Sequence, residues 1–139
     1  MLKVNKDYQP CSPIENDEVF RAGIFVWNIS RIKDFIEKNK SEFKPAKIEV
    51  KKYHQLYSRI NEDHLSSVDL SIPVILAEIN PIIKYSVIDG HHRNEKAYRD
   101  GVEYLYVYKL SVKQHVQFFT SIKSYKTFVE YWNEKCANR

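Results

Sequence analysis

Asp89, Gly90, His91, His92 and Arg93 follow one another without interruption, and their types suit the holding of an anion. The residues before them are apolar and β-forming, and those after them have helical spacing, so the run sits where a strand hands over to a helix. The first turn of a helix carries backbone N–H groups without intrahelical partners and the positive end of the helix dipole. A glycine at that junction removes a side chain and lets an anion come close to the backbone. Two imidazoles and a guanidinium in the same turn add donors, but positive charge is disfavoured at a helix start. Something negative is expected to offset them: a phosphate, or the carboxylate of Asp89. Each residue also has a structural reading. Asp89 would be an N-cap, Gly90 would supply an unusual backbone angle, one histidine would be buried and hydrogen-bonded, and Arg93 would pair with Asp89 or Glu95. So many polar or flexible residues directly after a buried strand are hard to explain by packing alone.

The elements that must position this run are legible around it. Residues 72–79 (IPVILAEI) are nearly continuously apolar and predict a buried strand, with Pro73 near its entry. Asn80-Pro81 turns the chain, and residues 83–88 (IKYSVI) predict a second strand, making a hairpin. A helix is expected from His91 to Asp100, stopped by Gly101. Residues 104–109 (YLYVYK) predict a strand with Leu105 and Val107 on one face and Tyr104, Tyr106 and Tyr108 on the other. That tyrosine stripe could stack nucleic-acid bases, but packing under a helix is the expected use.

Upstream, residues 23–27 (GIFVW) predict a strand, and Ile29, Ile32, Phe35 and Ile36 a helix capped by Asn28 or Ser30. Residues 47–53 (KIEVKKY) suggest an exposed or edge strand, and 61–67 a short helix with Asn61 as cap. Residues 1–18 read as a loosely held arm. Residues 111–139 read as a C-terminal helical extension, with stripes His115, Phe118, Phe119, Ile122 and Tyr125, Phe128, Val129, Trp132, and Ser124 as cap. Strands and helices are mixed without strict alternation, so the expected fold is α+β: a small mixed sheet flanked by helices, with C-terminal helices, as one domain over 1–139.

A chain of 139 residues supports one core. Its hydrophobic content of 43% excludes disorder as the dominant state, and its 3 glycines leave no Walker-type loop. A net charge of +4 permits an anionic partner without requiring one. Lys44, Lys47, Lys51 and Lys52 near the middle, and Lys123, Lys126, Lys135 and Arg139 near the end, could track nucleic-acid phosphates, yet no motif gathers them on one face. Cys11 and Cys136, at opposite ends, make neither a disulfide framework nor a zinc quartet. His54, His64 and His115 lack ligand-like spacing, and the adjacent His91 and His92 diverge on a helix. No signal peptide or membrane span is expected, so the chain reads as cytoplasmic.

The strand–DGHHR–helix–Gly–strand pattern over Asp69–Leu110 resembles the ParB/sulfiredoxin superfamily. Gly90, Arg93, Ala97 and Gly101 occupy the places of that family's Gly-x-x-Arg turn, its small helix residue and its closing glycine. The resemblance implies a nucleotide-phosphate site at the turn, with Gly90, His91, His92 and Arg93 holding phosphates of ATP, ADP or CTP. It further implies Asp89 and His92 as catalytic candidates for phosphoryl transfer or nucleotide hydrolysis, with Asp89 able to hold magnesium. His91 stands where sulfiredoxins carry their catalytic cysteine, and His91-His92-Arg93 replaces the Glu-Arg-Arg of chromosome-partitioning relatives. The Asp-Gly-x-His-Arg turn is most similar to that of free serine kinase relatives, for whose glutamate base Glu15 and Glu18 are the positional candidates. Two alternatives stand beside this reading. One is a DNA- or RNA-binding or nuclease module that uses the same turn for backbone phosphate. The other is a non-enzymatic interaction module with an apolar patch on its C-terminal helix.

Overall fold

Short segments, alternating in burial on β6 and buried throughout the first half of β4, build the sheet of the computed structural model, which describes residues 1–54, 59–82 and 84–138. Strand β4 (Val74–Asn80) pairs antiparallel with β5 (Lys84–Asp89) as the expected hairpin; Ile83, where the second strand was expected to start, lies outside the described residues. Strand β6 (Tyr104–Leu110) runs parallel to β4 and antiparallel to β3 (Ala46–Glu49). The order β3-β6-β4-β5 makes a mixed four-stranded sheet, and β1 (Val19–Ala22) with β2 (Phe25–Asn28) forms a separate two-stranded hairpin. The fold is α+β.

Helices pack on both faces of the larger sheet without covering all of either. On one, Ala97 of α4 (His91–Arg99) is fully buried against Val74, Leu76, Val87, Leu105 and Val107. A side chain no larger than methyl lets α4 lie close to the strands. The helix stops as expected at Gly101 (φ 71°): the Gly101 N–H donates to Tyr98 O and the Val102 N–H to Ala97 O, a Schellman closure. On the other face, Ile75, Ala77, Ile88 and Leu110 meet Ile29, Ile32 and Ile36 of α1 (Ile29–Lys38) and Phe128, Val129 and Trp132 of α6 (Ile122–Ala137). Asn28 caps α1, its Oδ1 accepting from the Arg31 N–H at 3.1 Å.

Several expectations change. Residues 47–53 are not one strand: β3 ends at Glu49 and a helical turn, α2 (Val50–Tyr53), follows because Val50 is wholly buried and its N–H donates to Glu103 O. The short helix α3 spans Glu62–Leu65, with Asn61 as cap. The cap of α6 is Ser121, which accepts from the Ser124 N–H, while the Ser124 hydroxyl donates to Ile24 O at 2.6 Å.

The segment 111–138 is a wall of the main core, built from α5 (Val112–His115), a 3₁₀ turn over Val116–Phe118 and α6; Arg139 lies outside the described residues. The first residues are not loosely held. Tyr8 stacks on Tyr125 at 3.8 Å between ring centroids, its hydroxyl donates to Val116 O at 2.6 Å, and Leu2 exchanges two hydrogen bonds with the Asn133 amide. His115 is a core residue. Its Nδ1 accepts from the Trp27 indole, so its Nε2 carries the proton and donates to Glu78 O at 2.6 Å. Among the described residues, no helix is long and apolar enough to cross a membrane.

Candidate functional site

Strand β5 reaches the candidate turn through a β-bulge. Asp89 pairs with Ile75 and Val87 with Leu76, so Ile88 is the extra residue. The bulge puts Ile88 in the core under α1 and still aims Asp89 toward that helix. Gly90 follows with φ 99° and is the N-cap of α4; the Asn94 N–H donates to its carbonyl at 2.9 Å. Asp89 is therefore not the cap, and no side chain caps the helix. A Cβ on Gly90 would lie 2.8 Å from Arg93 Nη2 and 2.9 Å from Val74 Cγ2, so both backbone angle and space require glycine.

The expected charge cost at the helix start is removed in two ways. Arg93 folds back to Asp89 (Nη2–Oδ2 3.1 Å) and donates to Pro73 O (3.3 Å), tying the turn to the entry of β4. Lys33 of α1 stands 3.7 Å from the same carboxylate and 3.0 Å from Glu18. The histidines are held towards neutrality. Burial, with help from the Arg59 charge, pushes the His91 imidazole down to about 4 against the opposing pull of Asp89. Its ring lies 4.9 Å from that of Phe20. Burial and the neighbouring His64 also lower His92, whose Nε2 accepts from the Asn61 N–H at 3.0 Å.

A cavity of about 160 Å³ opens at the turn, walled by Glu18, Val19, Phe20, Ile29, Ile88, Asp89, Gly90, His91 and His92. It brings together all the expected site residues but Arg93, which turns to the β4 side and acts as a structural tie. Of the two glutamate candidates, Glu18 is on the wall; Glu15 is exposed on the preceding loop and is not part of it. Asp89, the residue expected to hold magnesium, has its carboxylate engaged by Arg93 and Lys33.

A second cavity of about 220 Å³ adjoins the first across Phe20, Ile88 and His91 and is further lined by Trp27, Arg59 and Ser86. A larger one, about 350 Å³, lies at the opposite end of α4 between Glu49, Lys51, Tyr98 and Glu103, and contains none of the turn residues. Sequence reasoning missed Phe20, Lys33 and Arg59. Each reaches the turn from an element distant in the chain, and no local motif marks such contacts.

Compared with protein-family models, curated proteins and solved structures, the chain matches none.

Proposed function

We propose that the cup at Asp89–His92 takes the phosphate of a nucleotide, in a domain of ParB/sulfiredoxin type. The observation that carries this reading is the entry of α4 through a left-handed glycine, uncapped by any side chain, at a cavity of about 160 Å³. That volume suits one phosphate group. The sugar and base then lie in the adjoining cavity against Phe20, within reach of the Ser86 hydroxyl and the Arg59 guanidinium.

With His91 and His92 neutral, attraction comes from the first-turn amides, from the His92 ring on the cavity wall as a neutral donor, and from Lys33, which is 49% exposed and can turn from Asp89 to an entering anion. Glu18 on the opposing wall is the proton acceptor for an attacking hydroxyl: the hydroxyl oxygen bonds to the terminal phosphorus, the bridging oxygen leaves with the nucleotide, and the proton passes to the carboxylate.

Isothermal titration with ATP, ADP and CTP tests the reading. One of them is expected to bind, with His92→Ala weakening it about tenfold, on the order of one charge-assisted hydrogen bond. Glu18→Gln is expected to preserve or tighten binding, since it removes a negative charge beside the phosphate, while abolishing turnover. Absence of heat with all of them overturns it.

A further inference from the structure

Tyr104, Tyr106 and Tyr108 share one face of β6, spaced by two residues and so about 6.8 Å apart. The stripe was expected to pack beneath a helix, but α1 reaches only its last member. Tyr108 is half-buried beside Ile75, whereas Tyr104 is 41% and Tyr106 is 54% exposed. Strand β3 and the turn after α1 each add a cation to this face. Lys47 is in register with Tyr106 and its ammonium lies 4.8 Å from the Tyr104 ring centre; Lys40 Nζ donates to the Tyr108 hydroxyl at 2.8 Å. Beyond Tyr108 the face runs into a groove of about 270 Å³ lined by Lys33, Lys40, Ile72 and Pro73.

We propose that this open sheet face binds single-stranded nucleic acid, with bases stacked on Tyr104 and Tyr106 and phosphates met by Lys47 and Lys40. Exposed aromatic rings at this interval match successive bases of an extended strand, whose faces they accept whatever the sequence. Lys47 beside Tyr104 and Tyr106, and Lys40 at Tyr108, place positive charge where the backbone must pass. Carboxylates limit the track. Glu49 is in register with Tyr104, the Tyr104 phenol is engaged by Glu103, and Glu37 lies 3.5 Å from Lys40. The footprint is therefore short, and polarity favours the Tyr106 side. Double-stranded DNA, with its bases stacked inside, cannot use the rings.

Fluorescence anisotropy with end-labelled oligo-dT and oligo-U of about 8 nucleotides, at about 50 and about 200 mM salt, tests this. Saturable binding is expected, weakening with salt. The double variant Tyr104→Ala/Tyr106→Ala should weaken it at least about tenfold, from the loss of two stacked bases. Tyr106→Phe should keep it, and Lys47→Gln should reduce both affinity and salt slope. His92→Ala should leave it unchanged, so this surface and the nucleotide cup stand or fall separately. No saturable binding at low salt, or binding that survives the double variant, overturns the proposal. So does sedimentation showing that the wild-type chain self-associates through these tyrosines, because a second copy would then be the occupant.

Discussion

At the scale of single residues, the turn at Asp89–Arg93 separates chemistry from support. Gly90 has no substitute, since its backbone angle is left-handed and the space beside it is filled by Arg93 and Val74. Arg93 is the guanidinium that a sequence reader assigns first to a phosphate, yet its side chain is 15% exposed and joined to a carboxylate 10% exposed. Removing it leaves Asp89 with Lys33 alone. Arg93→Ala is expected to cost about 2 kcal/mol in urea unfolding, below the range of about 3–5 kcal/mol for a broken buried pair because Lys33 remains. Its effect on nucleotide affinity should be smaller than that of His92→Ala, and the comparison separates a tie from a ligand. The identities of the turn residues were legible in sequence, as was the helix that follows them. For Arg93 the sequence left a phosphate and the carboxylate of Asp89 or Glu95 open, and the structure pairs it with Asp89. A residue that can fold forward to a ligand or back to its own strand is decided by what it finds there, here Asp89 and the carbonyl of Pro73 at the entry of β4.

Among elements, the hairpin β4–β5, helix α4 and strand β6 follow from periodicity and turn residues, and each stands within a residue or two of where it was expected. The tyrosine stripe on β6 misled because alternation identifies two faces but not which is covered. Coverage depends on where α1 ends, and α1 stops short of Tyr106. The elements also carry a pH dependence. His91 on α4 and His115 on α5 are both lowered to about 4 by burial. In the unfolded chain they titrate near the ordinary value of about 6.5. Between these values the unfolded chain binds protons that the folded one refuses, so the two rings make stability fall as pH drops from about 6.5 towards 4, and their own contribution levels off below. Each imidazole contributes on the order of 3 kcal/mol over the full window. Urea midpoints measured across it should decline, with a shallower slope in His91→Gln. A flat profile would place both rings in water.

For the whole molecule, long-range contacts decide what the N-terminal segment does. Tyr8 meets Tyr125, Val116 and Phe119, and Cys11 donates its N–H to Phe119 O. Nothing local in a polar stretch with two prolines announces such partners. Tyr8→Ala removes a stacked ring and the hydroxyl shared with Val116 and Phe119, and should lower stability by about 2 kcal/mol in thermal or chemical unfolding. It should spare the turn at Gly90, which lies across the core.

Docking of the first eleven residues on the last third of the chain also orders events during synthesis. The N-terminal segment must wait for residues translated more than a hundred positions later, since Tyr8 has no ring to rest on until Tyr125 has emerged and Leu2 no amide until Asn133 has. Contacts so distant along the chain slow the search for the native state. A nascent chain from which α6 has not yet emerged would leave Trp27 and Phe119 without their Phe128 cover, a client for chaperones until that helix docks.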